Sequence, residues 1–312
     1  MAKLYSREWG KQAMEVTSAD ELRATVLDYL DDPRRLPPVP TVIQEASSMM
    51  NDGRSGAADL ARVVGRDEAI TAQILRIANS AFYGMSGRIR TLSQAITMLG
   101  FEQLRILLLG TYLFESRTIR DDRFAACRRA VWRHSMTCAG WAREIAATTH
   151  HEPVEEAFIA GLLHDIGKVV LAAIAPAETH DALRLSLTEG LDSVEAERRI
   201  LGIDHTETGG ILAEHWKLPN ILRGCISQHH SFSFMSIEGR SDHPDEKLRR
   251  VLAIVRVANI ASHLFEAAGL DSGDEHGEGS RHDPQILTEL VAQVDALLQS
   301  PAQCRGGCDG QP

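Results

Sequence analysis

Apolar residues in this 312-residue chain recur every three or four positions, and no stretch sustains the period-two alternation of a half-buried strand. That periodicity predicts an all-α fold. Leu22, Val26 and Leu30 form an i, i+4, i+8 stripe behind Ser18-Ala-Asp-Glu21, a capping box in which a hydroxyl caps the first turn and a carboxylate reaches back. Leu36-Pro-Pro-Val-Pro40 is a rigid break, and short amphipathic helices follow from Thr41 to about Phe114, punctuated by turns at Asn51-Asp-Gly53 and Ser86-Gly87. Within this block, Thr91 or Ser93 caps a helix that stops at Gly100. A second helical block runs from Asp121 to Phe265, with Pro153, Pro176, Pro219 and Pro244 marking connections. The chain thus divides into an N-terminal helical extension (1–35), a first helical lobe (36–120), a second helical lobe (121–268) and a C-terminal region (269–312). Residues 269–284 are Gly-rich and acidic, as in a flexible linker. Beyond them Ile286, Leu287, Leu290, Val291, Val294, Leu297 and Leu298 form an amphipathic stripe, which either packs on the domain or joins a second chain in an oligomer.

Composition narrows the function. Acidic side chains outnumber basic ones by 43 to 33, a net charge of −10, which disfavours nucleic acid as a partner. No run is expected to reach the ~20 uncharged apolar residues of a membrane helix, and residues 1–15 lack an apolar signal stretch, so the expected setting is cytoplasmic. Five cysteines argue against a disulfide framework. Cys127, Cys138 and Cys225 sit in apolar helical context as inert core. Cys304 and Cys308 lie in a Gly-rich terminus and do not by themselves close a metal site; His150 and His151 read as solvated loop residues.

The chain holds 13 histidines, and their placement is the chemical signal. His134 shares a stripe with Cys138, Trp141 and Ile145, so it is expected to be buried, and a buried imidazole must satisfy its nitrogens by hydrogen bond or metal. His164 and Asp165 follow the apolar run 157–163 and precede Lys168. An imidazole beside a carboxylate suits zinc, iron, manganese or nickel. His205 follows Asp204, the pair His229-His230 follows Gln228, and Asn259 lies on a stripe with Leu252 and Val255. In the first block, Asn79, Ser80 and Tyr83 end a helix and either pack there or contact a ligand.

Leu36-Pro-Pro-Val-Pro40, Arg66-Asp67-Glu68, the 75–84 and 89–100 segments and the histidine series together resemble the HDOD domain of bacterial signalling proteins, over about Leu36 to His230. The resemblance implies an all-helical HD-like fold with two helical lobes, related to metal-dependent HD phosphohydrolases, and a role as a binding or output module. The order His134, His164-Asp165, His205, His229-His230 and position 259 is similar to the metal pattern of binuclear HD-GYP phosphodiesterases. By that analogy one ion takes His134, His164, Asp165 and residue 259, and the other takes Asp165, His205, His229 and His230.

Two departures qualify the analogy. The family's terminal aspartate is Asn259 here, and Ser-Phe-Ser-Phe-Met follows His230 in place of the Gly-Tyr-Pro segment. The expected cofactor is therefore one tight divalent ion (Fe, Mn, Zn or Ni) in the second half-site, with His263 a further candidate ligand. The expected function is a cytoplasmic signal-transduction module acting through a partner protein. The alternative is a phosphohydrolase acting on a nucleotide or cyclic dinucleotide, with Asp165 and Lys168 as catalytic residues. A metal would then activate water, and Lys168 would offset phosphoryl charge. Otherwise Lys168 is a helix-end lysine favouring a C-terminal dipole.

Overall fold

The computed structural model of the chain describes residues 18–31, 41–52, 54–79, 89–115, 121–149, 154–231, 246–267 and 284–299, and every regular element among them is an α-helix. The Pro-rich break, Ser80 and Tyr83, Ser86-Gly87, the histidines 150 and 151, the 269–283 linker and the two C-terminal cysteines lie outside the described residues. α1 (Ala19–Asp31) opens on the expected capping box, with Glu21 N donating to Ser18 Oγ at 3.2 Å and Ser18 N to Glu21 Oε2 at 3.1 Å. α2 (Thr41–Asp52), α3 (Ala57–Val64), α4 (Glu68–Asn79), α5 (Leu92–Leu99) and α6 (Phe101–Glu115) pack together as the first lobe. Thr91, not Ser93, caps α5 in a capping box with Gln94. Asn79 accepts from Ile89 N and donates to Ile89 O, which ties the end of α4 to the start of the segment that leads into α5.

The second lobe comprises α7 (Asp122–Thr148), α8 (Val154–Leu163), α9 (Ile166–Ile174), α10 (Pro176–Glu189), α11 (Ser193–Leu201), α12 (His205–His215), α13 (Asn220–Gln228) and α14 (Glu246–Ala267). The stripe that carries His134 is buried as expected, with Cys138, Trp141 and Ile145 inaccessible to solvent. Past its first turn, α8 is buried on every side, from Ala157 to Leu163. Val154–Ile174 has the length and mean hydropathy (1.8) of a membrane span, but it includes Glu155, Glu156, Asp165 and Lys168, 89% of that window is buried within the fold, and the helix breaks at His164-Asp165. Its apolar character is that of a central core element.

Two segments beyond the lobes also dock on the second. α1 lies against α11, α12 and α9. Arg23 forms a two-pronged ion pair with Glu207 and donates to Gly202 O at 3.1 Å. Gly202 has φ +68°, and a Cβ there would stand 2.2 Å from Ala19 O, so only glycine admits this approach. α15 (Pro284–Gln299) lays Leu290 and Val294 against α14 and α7, so the C-terminal stripe packs on its own chain.

α9 and α12 meet most closely at Gly167. A Cβ on that residue would lie 2.0 Å from His205 O and 2.8 Å from Gly209 N. Both obstacles are backbone, so no side chain can swing aside. Gly167→Ala is expected to cost about 3 kcal/mol of stability through forced separation of the two helices, read as a lower urea midpoint. An unchanged midpoint would contradict the close approach.

Candidate metal centre

α8 ends at Leu163, just before His164, and α9 restarts at Ile166, just after Asp165. Asp165 occupies the N-cap position of α9, but its side chain makes no cap hydrogen bond and turns instead into the lobe. Its Oδ2 accepts from Lys168 Nζ at 2.8 Å. Its Oδ1 is buried with no hydrogen-bond partner and lies 3.3 Å from His205 Nε2 and 3.4 Å from His229 Nε2. Lys168 sits in the first turn of α9, where a cation opposes the helix dipole. The helix-end reading of this lysine is thereby overturned: it stays because Asp165 holds it.

Each imidazole is oriented through its Nδ1. His205 is the first residue of α12, behind Asp204, whose Oδ1 caps the amides of Thr206 and Glu207 and whose Oδ2 accepts from Arg198 Nε at 2.6 Å. Glu197 Oε2 accepts from both the His205 amide (2.8 Å) and its Nδ1 (2.6 Å). His229 follows α13 and gives its Nδ1 proton to Ile226 O at 3.0 Å and Cys225 O at 3.2 Å. His164 Nδ1 donates to Gly161 O at 2.7 Å. His230 Nδ1 faces Asp192 Oδ2 at 3.3 Å. A neutral imidazole carries one N–H, so these bonds leave the Nε2 lone pairs directed at Asp165 and at one another.

The result is a buried meeting of acceptors. His205 Nε2 and His229 Nε2 are 3.3 Å apart with both Nδ1 protons committed elsewhere, and His164 Nε2 and His230 Nε2 have no hydrogen-bond partner. Burial lowers the pKa of His164 and of His229 and pushes His230 down to about 3, so these rings stay neutral and electron-donating at pH 7. Burial by itself would raise Asp165, but Lys168 and the imidazoles of His164, His229 and His205 outweigh it and hold the carboxyl well below its ordinary range. Asp165, His205, His229 and His230 each bring a ligand atom within 4.8 Å of the others. The shorter separations match the ~3.3 Å between neighbouring ligands of a tetrahedral ion with metal–nitrogen distances near 2.0 Å. This donor set fits a divalent ion.

The other half differs. His134, His164 and Asp165 also converge, with Asp165 Oδ2 3.5 Å from His164 Nε2 and 3.8 Å from His134 Nε2. His134 Nε2, however, is 2.9 Å from Asn259 Oδ1, and its Nδ1 faces Glu266 at 3.3 Å. The fold thus brings together every site residue expected from the sequence: His134, His164, Asp165, Lys168, His205, His229, His230 and Asn259. His263 stacks on His134 with ring centroids 4.3 Å apart. Sequence reasoning missed Glu197, Asp192 and Glu266. Glu197 carried a signal, because it falls on the buried-side stripe of α11 with Val194 and Leu201 at i, i+3, i+7, and it is 6% exposed.

Residues 36–232 match the HDOD domain family. A Treponema pallidum protein of uncharacterized function is 25% identical over 260 residues, 80% of this chain. The chain spans about half (46%) of that curated relative. A proposed metal-dependent phosphohydrolase from Shewanella amazonensis superposes with a TM-score of 0.54 at 19% identity, covering 89% of this chain and 98% of its own. A proposed signal transduction protein from Marinobacter aquaeolei superposes with a TM-score of 0.53 at 22% identity, covering 89% of this chain and 62% of its own. At these identities the two structures share the fold.

Glu197 sets the tautomer and aim of His205, so Glu197→Gln is expected to weaken divalent-metal binding about 10- to 100-fold with little change in helicity. Competition against a chromophoric chelator measures it. Unaltered affinity would mean that Glu197 does not orient the ring.

Proposed function

The chain belongs to the HDOD domain family, and from that premise we propose that it is a cytoplasmic signal-transduction module that holds one divalent ion at Asp165, His205, His229 and His230 and acts through a partner protein. The observation that carries this reading is the 2.9 Å contact between His134 Nε2 and Asn259 Oδ1. An amide adds no charge where the resemblance places an aspartate, and the contact occupies the nitrogen that His134 would present inward. Asp165 Oδ2, the oxygen on that side, is already engaged by Lys168. The first half-site is left with His164 and little else, while the second keeps a carboxylate oxygen and three imidazole nitrogens.

An ion held there supplies a Lewis acid for an anionic group. The chain's own residues do the rest. Glu197 and the carbonyls of Cys225 and Ile226 fix the rings, and Lys168 keeps Asp165 ionised. Within the cluster around Asp165, the side chains of Lys168 and His230 are 19% and 22% exposed while the other ligand candidates are buried, so these two form the rim an incoming nucleotide or peptide group would meet. Two ions clamp the attacking and leaving oxygens of a phosphate ester, and one does so less well, which favours binding over turnover. The name of the Marinobacter protein supports a signalling role. The second reading, a phosphohydrolase, draws support from the unpartnered Nε2 of His164 beside the site and from the name of the Shewanella protein.

Full-length protein purified without added metal is expected to carry about one ion per chain, and His229→Ala to lose it, by elemental analysis. Two tightly held ions would contradict the single-ion reading. Phosphodiesterase assays on cyclic dinucleotides with Mn²⁺ and Fe²⁺ are expected to show no turnover that depends on His229. Turnover abolished in His229→Ala would replace the module by the enzyme.

A further inference from the structure

His134 is pinned between two acceptors, Asn259 Oδ1 at its Nε2 and Glu266 Oε1 at its Nδ1. In the tautomer that donates from Nε2 to Asn259, Nδ1 keeps a lone pair that points at the carboxylate. His263 closes the same space. Asn259, His263 and Glu266 stand at i, i+4, i+7 and so share one face of α14, opposite His134 of α7. Glu266 Oε2 lies 3.7 Å from His263 Nδ1, and the two imidazoles stack with centroids 4.3 Å apart and planes 24° from parallel. A single dication would accept both lone pairs and the carboxylate.

We propose that His134 Nδ1, His263 and Glu266 form a second, outer divalent-metal site that braces α14 against α7. Their ligand atoms all lie within 4.8 Å of one another. Two imidazole nitrogens and one carboxylate oxygen select a borderline transition ion such as zinc, cobalt or nickel. The side chain of His263 is 57% exposed and that of Glu266 24%, so solvent completes the coordination and the ion exchanges more readily than one held in the buried cluster. The site goes beyond the single-ion centre and uses two histidines, His134 and His263, that the centre leaves aside. Its consequence is mechanical. α14 also carries Arg256, which donates to Gln228 O immediately before His229. Fixing α14 therefore steadies the segment that presents His229 and His230.

The test uses the full chain, stripped with chelator, reloaded with one equivalent of Zn²⁺ and then titrated with further Zn²⁺ by calorimetry. The wild type is expected to take up a second, weaker ion. His263→Ala, a substitution on the surface, and Glu266→Gln, nearly isosteric, are each expected to weaken that second event about tenfold or more and to leave the first unchanged. A second event of equal strength in both variants, or none in the wild type at millimolar Zn²⁺, overturns the proposal. Loss of the first event in the wild type, with an event that still depends on His263, would overturn the inner single-ion reading and leave the outer site standing.

Discussion

A buried carboxylate surrounded by lone pairs is the constraint on which the second lobe depends. Asp165 is 2% exposed, and an ion removed from water at that depth is costly unless opposite charge and hydrogen bonds replace its hydration. Lys168 answers one oxygen. The other faces imidazole nitrogens whose protons are committed outward, to Glu197 and to backbone carbonyls. A dication would fit that arrangement, meeting the carboxylate oxygen and the imidazole lone pairs together.

The fold serves this constraint by bringing backbones very close. Gly167 lets α9 touch α12 at His205 O, and Gly161 lets α8 touch α7 at Ala139, so the turn carrying His164 and Asp165 is wedged between helices that carry the other rings. Asp204 caps α12 and is itself held by Arg198, which fixes where His205 begins. α1 reaches the same corner through Arg23 and Glu207. Residues outside the family-matched region therefore support the centre: α1 at its His205 side and α14 at its His134 side.

Much of this was legible in the sequence, and the limits have physical reasons. The capping box at Ser18 and the burial of the His134 stripe follow from local periodicity, and the convergence of His164, His205, His229 and His230 from the resemblance of their order to the HD-GYP metal pattern. Glu197 was hard to see because Ser-Val-Glu-Ala-Glu-Arg-Arg reads as a solvated charged helix, and only its register distinguishes it from Glu195. The Arg23–Glu207 pair joins positions 184 residues apart, and no local pattern encodes that. The sequence exposed Asn259 as a departure, but its contact with His134 depends on how α7 and α14 cross. Lys168 was half legible: its proximity to Asp165 followed from spacing, whereas its place in a first turn depended on the helix breaking at 164–165.

The central claim is a single strong divalent site on the Asp165 Oδ1 side of the carboxylate. Anomalous scattering from crystals of the full chain loaded with one equivalent of zinc tests it most directly. The account predicts one dominant peak enclosed by Asp165 Oδ1 and the Nε2 atoms of His205, His229 and His230. A dominant peak between His134 and His164, or none within the cluster, would contradict it.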